Sequence, residues 1–188
     1  MNGWKTLTSQ TAYSAGKWLK VEDRTVVTPG GETIEHWAWV TSPNYINVFP
    51  VMEDGRALLF RQGKYGLEGD SLAPVGGYIE EGEEPLAAAV RELREETGCE
   101  AREWVDLGRY IVDPNRGIAW GSLYLALGAR KVTERSAFDL EEQEPVLLTV
   151  EEVEAALLAG RFRVLAWASC AAFALMRMKT RAQTGRAE

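Results

Sequence analysis

The segment from Gly77 to Cys99 constrains this chain more than any other. It opens on the second glycine of the pair Gly76-Gly77, runs through the acidic turn Glu80-Glu81-Gly82-Glu83-Glu84, and then Pro85-Leu86-Ala87-Ala88-Ala89-Val90-Arg91-Glu92-Leu93-Arg94-Glu95-Glu96-Thr97-Gly98. Pro85 suits a first helical position, where its missing N–H would have had no partner. Leu86, Ala89, Val90 and Leu93 recur at i, i+3, i+4 and i+7, which predicts a helix over 85–97 with one apolar stripe to bury. Gly98 supplies the left-handed residue that closes such a helix. A helix of this kind needs a layer to pack on, so the chain must build one from the residues around it.

The polar side of the same helix carries chemistry. At 100° per residue, Glu92, Glu95 and Glu96 fall within roughly 100° of one another, beside the apolar stripe. Like charges at i, i+4 cost a few tenths of a kcal/mol in an isolated helix. Near the C-terminal end the helix dipole disfavours them further. Cations would relieve both costs, and carboxylate oxygens suit Mg²⁺ or Mn²⁺. A solvated acidic face, salt-bridged to Arg91 and Arg94, is the common fate of a charge run. Here it must also account for the glycine lead-in, the glutamate ahead of the helix and the closing glycine.

The remaining sequence supplies the layers. Trp18–Val21 and Thr25–Val27 read as extended segments, followed by a turn at Pro29-Gly30-Gly31. From Ile34 to Val40 the chain alternates, with Ile34, His36, Ala38 and Val40 on one face and Glu35, Trp37 and Trp39 on the other. The two tryptophans fit packing against the main domain, a subunit interface, or a surface on which a base stacks. Ile46–Met52 and Ala57–Phe60 read as a hairpin about Glu53-Asp54-Gly55, and Gly63–Asp70 as a loop. Strands are expected at Trp104–Val112 and Ile118–Leu127. An acidic loop follows over Ser136–Glu144, then a short strand over Pro145–Leu148. Thr149-Val150-Glu151-Glu152 is a capping box opening a helix to about Gly160. A last helix runs from about Val164 to Met178, and the polar tail after Lys179 is expected to fray. This interleaving predicts an α/β fold, a mixed sheet flanked by helices. The expected division is an N-terminal β extension over 1–41, a main domain over 42–180 and a polar tail over 181–188.

Composition narrows the partners. A formal net charge of -7 and a pI near 5.0 argue against a nucleic-acid binder, which needs a basic surface to displace counterions. The apolar run Val164–Met176 is short of the roughly 20 residues a bilayer crossing takes, so no membrane partner is expected. Two cysteines, Cys99 and Cys170, suggest neither a disulfide framework nor a zinc site. With no apolar run after Met1, a cytoplasmic location is expected.

The segment Gly77–Cys99 resembles the Nudix box: Gly, five residues, Glu, seven residues, then Arg-Glu-aliphatic-x-Glu-Glu-x-Gly-aliphatic. Gly77, Glu83, Arg91, Glu92, Leu93, Glu95, Glu96 and Gly98 meet every fixed position, and Cys99 stands where an aliphatic residue is usual. The resemblance implies an α/β/α sandwich and a hydrolase of diphosphate bonds. It implies that Glu92, Glu95 and Glu96 hold Mg²⁺ (or Mn²⁺), with the backbone carbonyl of Gly76 as a further ligand. Arg91 and Glu83 would brace the loop against the helix. It also implies a general base on a later loop, one of Glu141, Glu142 and Glu144.

Pro114, about 15 residues beyond the box, is similar to a proline of the ADP-ribose and nucleotide-sugar pyrophosphatase branch. That branch carries an N-terminal β extension used for dimerisation, so a homodimer is implied. Arg61 and Lys64 would contact phosphate, and Trp37, Trp39, Pro114 and Arg116 the rest of a nucleotide-diphosphate substrate. Arg116 and Tyr110 would line the pocket. The implied reaction is ADP-ribose to AMP and ribose 5-phosphate. Other nucleotide sugars, dinucleotides or nucleoside diphosphates remain open, as does a non-catalytic Nudix-fold nucleotide sensor. Such a sensor would be marked by loss of a metal glutamate, and none is lost. Ala73 departs from the branch, which commonly has a glutamate there.

Overall fold

A computed structural model of the protein describes residues 3–136 and 142–184. Contacts divide the chain into two units, Met1–Asn44 with Tyr110–Gly121, and Tyr45–Arg109 with Ser122–Glu188.

In the first unit, β1 (Lys5–Ala15), β2 (Leu19–Val27) and β3 (Thr33–Thr41) form an antiparallel sheet in the order β1-β2-β3. No apolar alternation marks β1, and its side chains are almost all exposed. It exists because its backbone pairs with β2 from Lys5↔Val27 to Ala15↔Leu19. The two short candidates at 18–21 and 25–27 are one strand. Glu22, Asp23 and Arg24, between them, are ladder positions between β1 and β3. Glu22 accepts hydrogen bonds from Lys20 Nζ, Arg24 Nη2 and Ser9 Oγ, and the two cations hold its carboxyl down at about 2. The expected turn is present, with Gly31 at φ 87° and its N–H donating to the Thr28 carbonyl at 3.0 Å.

The alternation read into β3 does not hold through the strand. His36 adopts φ 58°, and the register with β2 slips between Arg24 and Val26. An extra residue in one strand turns the following side chains over. Ile34 therefore joins Trp37 and Trp39 among the half-buried residues, as does Val40, while His36 and Ala38 are exposed. His36 Nδ1 lies 2.8 Å from Asp23 Oδ2 in solvent.

The second unit is built on β4 (Tyr45–Met52), β5 (Ala57–Gly63), β6 (Asp70–Ala73), β7 (Val75–Tyr78), α1 (Pro85–Thr97), β8 (Cys99–Glu100), β9 (Glu103–Asp113), β10 (Ile118–Lys131), β11 (Gln143–Leu148), α2 (Val150–Leu158) and α3 (Leu165–Thr184). The far ends of β9 and β10 belong to the first unit. A mixed sheet runs β11-β5-β4-β10-β8, with β6 on β5, β7 on β4 and β9 on β10. Every residue from Ile46 to Val51 is buried. Successive strand residues point to opposite faces, so β4 must be covered on both. Both α1 and α3 pack on it, α1 also reaching β7 and α3 also reaching β6 and α2. This is an α/β/α sandwich. Phe49, Phe60, Leu59, Leu93 and Leu125 fill its core.

Boundaries differ from expectation at β11 and at α3. Glu144 belongs to β11, paired with Arg61 of β5, and not to a loop. The helix α3 continues past Met178 to Thr184, held by Lys179 to Glu154 at 2.9 Å and Arg181 to Glu103 at 2.6 Å. The capping box of α2 forms as read, Thr149 Oγ1 accepting from Glu152 N and Glu152 accepting from Thr149 N.

Gly98 closes α1 at φ 71°, and its carbonyl accepts from Val132 N at 2.8 Å and Thr133 N at 3.1 Å. A Cβ there would collide with the Thr133 carbonyl. The left-handed conformation alone costs a residue with a Cβ about 1–2 kcal/mol. Gly98→Ala is therefore expected to lose at least about 2 kcal/mol in urea titration, and a loss under half that would mean the cap relaxes freely.

Candidate metal centre and active site

The helix α1 reaches the sheet through Ala88, Ala89, Leu93 and Glu96, while Leu86 and Val90 are 45% and 42% exposed. The stripe predicted from apolar residues alone is thus rotated. Its final position is taken by a carboxylate, Glu96, which is only 6% exposed. Burying a carboxylate is costly without hydrogen bonds or a cation. Glu96 Oε2 accepts from the N–H of Gly76 on β7 at 3.3 Å.

Arg91 ties the acidic residues together. Its Nε and Nη2 donate to the two oxygens of Glu83 at 2.9 and 3.0 Å, a bidentate pair. Nη1 donates to Glu92 at 2.7 Å and Glu95 at 3.2 Å, and Nη2 also to the Tyr78 carbonyl at 3.1 Å. Glu83 in turn accepts from Glu80 N at 3.0 Å. One guanidinium therefore fastens the loop after β7 to the helix. The Arg91 guanidinium holds the Glu83 carboxyl below the usual range, and Glu83 first, then Glu92, raise the Arg91 pKa. Burial pushes Glu92 up, against the opposing pull of Arg91.

Gly76 and Gly77 are needed for space. Neither has a left-handed φ, yet a Cβ on Gly77 would overlap the Glu92 carboxylate, and one on Gly76 would overlap the Asn47 carboxamide. The strand and the helix thus meet at Glu92 and Glu96 with no side chain between them.

Three carboxylates share the single guanidinium of Arg91, so negative charge is in excess. Among the described residues no three acidic, histidine or cysteine side chains converge into a ready-made cage. The donor set fits a hard divalent cation: carboxylate oxygens, excess negative charge, and in Glu92 a carboxylate whose ionised form burial disfavours.

The other predicted residues fall in separate places. Arg61 in the second unit pairs with Glu144 at 3.1 Å and Asp70 at 3.5 Å. Glu142 is exposed, Lys64 is half-buried in the loop between β5 and β6, and Glu141 lies outside the described residues. Ala73 is fully buried. In the first unit, Trp37 Nε1 donates to the Asn115 carbonyl at 2.9 Å, with the Arg116 guanidinium 5.2 Å from its ring and Trp4 at 5.4 Å on a tilt. Trp39 carries Arg24 at 4.4 Å, and a Cβ on Gly117 would strike its indole. Pro114 and Tyr110 are exposed on this unit. Asn47 was not singled out by any motif, although a lone amide inside the apolar run Ile46–Val51 is itself a signal.

The NUDIX domain matches residues 41–168, and the chain belongs to that family. It is a hydrolase of diphosphate bonds, and Nudix hydrolases generally use divalent metal ions. It is 36% identical over 107 residues to an ADP-sugar pyrophosphatase of Mus musculus, covering 51% of this chain and 49% of that one. It is 27% identical to an ADP-ribose pyrophosphatase of Bacillus subtilis (strain 168), covering 79% and 80%. At 29% identity and the same coverage it is similar to a methanol dehydrogenase activator of Bacillus methanolicus. Its fold is similar to that in a crystal structure of an ADP compounds hydrolase, with a TM-score of 0.77, 20% identity and 97% of each chain covered. No helix among the described residues is long and apolar enough to cross a membrane.

Proposed function

We propose that the protein hydrolyses ADP-ribose to AMP and ribose 5-phosphate with Mg²⁺. The observation that carries this is the Arg91-centred carboxylate cluster closed against Gly76 and Gly77. The substrate rests on two relatives named for ADP-ribose and ADP-sugars. Glu92, Glu95 and Glu96, with the Gly76 carbonyl, would hold the cation, Mg²⁺ or Mn²⁺. When bound, it would neutralise charge on the diphosphate and lower the pKa of the attacking water.

The protein's own residues do the rest. Arg91 and Glu83 lock the loop to the helix so that the carboxylates keep their places. One of Glu141, Glu142 and Glu144 accepts the proton of the attacking water. Arg61, beside Glu144, and Lys64 meet phosphate oxygens. Trp37 and Trp39, with Arg116 and Pro114, offer aromatic and cationic faces to the nucleoside.

We further read the chain as a cytoplasmic homodimer. The strand β1 exposes Leu7 and Tyr13 at a sheet edge, and Trp4 just precedes it; an edge of this kind is open to pairing. Deletion of residues 1–40 is expected to give monomeric or insoluble protein by light scattering, and a truncated dimer would reject that assembly.

The substrate is tested with a panel of ADP-ribose, other nucleotide sugars, dinucleotides and nucleoside diphosphates, each with Mg²⁺ and with EDTA. A preference for ADP-ribose of about tenfold or more in kcat/KM is expected, about 1.4 kcal/mol of discrimination. Preference for another diphosphate keeps the reaction and replaces the substrate. Tight binding without turnover would favour a nucleotide sensor.

A further inference from the structure

Asn47 sits on β4 directly opposite Gly76 of β7. It is 3% exposed, and its Oδ1 has no hydrogen-bond partner among the described residues. A buried acceptor left unmade costs about 1–3 kcal/mol, and native structures keep few such groups. A leucine or valine would suit this strand better, since its neighbours Ile46 and Val48 are both fully buried. The amide is therefore retained against packing.

Its surroundings say what it does there. The carboxamide nitrogen occupies the space a Cβ on Gly76 would need. The N–H of Gly76 is held by Glu96 at 3.3 Å. Gly76 thus lies between two side chains, the Asn47 amide packed against it and the Glu96 carboxylate bonded to its N–H. The Asn47 backbone is fixed in turn, its carbonyl facing the fully buried Cys170 Sγ of α3 at 3.7 Å.

We propose that Asn47 is a positioning residue of the metal centre: it sets the Gly76 peptide, and through it the Glu96 carboxylate, in the orientation a divalent cation requires. The inference rests on the functional assignment above and adds a residue outside the Nudix box. It acts through Gly76 and touches neither substrate nor the reacting atoms.

The test is Mn²⁺ binding to the substrate-free full-length protein, followed by electron paramagnetic resonance, beside thermal unfolding in EDTA. The variants are Asn47→Leu, Asn47→Ala and the milder Asn47→Ser. Groups that orient ligands are worth roughly 10–100-fold in metal affinity, so each folded variant is expected to bind Mn²⁺ at least about tenfold more weakly. Asn47→Leu should match or exceed the wild type in EDTA, because the orphaned amide oxygen is gone. Weaker Mn²⁺ binding with unfolding unchanged supports the proposal. Wild-type Mn²⁺ affinity in any folded variant overturns it. If the unmutated protein itself binds no Mn²⁺, the assignment of the metal centre falls, and this inference with it.

Discussion

Replacing Glu96 by glutamine is expected to abolish turnover while leaving the fold intact. Glu96 is almost fully buried at the end of the α1 stripe, and its carboxylate accepts from Gly76 N. Glutamine has the same shape and can keep that bond through its amide oxygen, so the helix should pack as before. What it loses is the negative charge, and a neutral amide is a far poorer ligand for a hard divalent cation. A fall in kcat of at least about a thousandfold is expected, which corresponds to roughly 4 kcal/mol of transition-state stabilisation. Stability in EDTA should hold or rise, since an ionised group no longer has to be buried. Activity within about threefold of wild type would remove Glu96 from the centre.

The second large effect is expected at Arg91. Its guanidinium makes five hydrogen bonds, two to Glu83 and one each to Glu92, Glu95 and the Tyr78 carbonyl. Arg91→Met keeps much of the apolar stem but leaves these carboxylates facing one another uncompensated. Removing one member of a largely enclosed pair typically costs several kcal/mol. With a quarter of Arg91 exposed, about 2–4 kcal/mol is expected in urea titration. The loss should depend on pH. Arg91 lowers the Glu83 pKa on folding, so that pair contributes above the ordinary carboxylate range and fades as pH falls through the lowered value. Wild type and variant should therefore converge in acid. A variant as stable as wild type at neutral pH would mean that Arg91 does not brace the loop.

The helix at the heart of this site was legible because its start, its stop and its period agree: Pro85 opens it, Gly98 closes it, and both stand where expected. Which face it buries was less legible. A hydropathy pattern gives Glu96 to solvent, and only tertiary contact with Gly76 explains its burial. The strand β1 escaped notice because an exposed edge strand needs no apolar alternation; its order comes from backbone pairing. Ile34 shares the half-buried side of β3 with Trp37 and Trp39 because of a single bulge at His36, which no local pattern marks. The glycine pair was read as part of a motif, whereas its physical meaning, space for Glu92 and Asn47, emerges only from packing.

The central claim is metal-dependent attack of water on a diphosphate. It is tested most directly by incubating the protein with ADP-ribose in ¹⁸O-enriched water, with Mg²⁺ or with EDTA, and weighing the products. The account predicts AMP and ribose 5-phosphate, one of them carrying a single ¹⁸O, with Mg²⁺ and no cleavage in EDTA. Equal cleavage in EDTA, or intact ADP-ribose at saturating Mg²⁺, would contradict it.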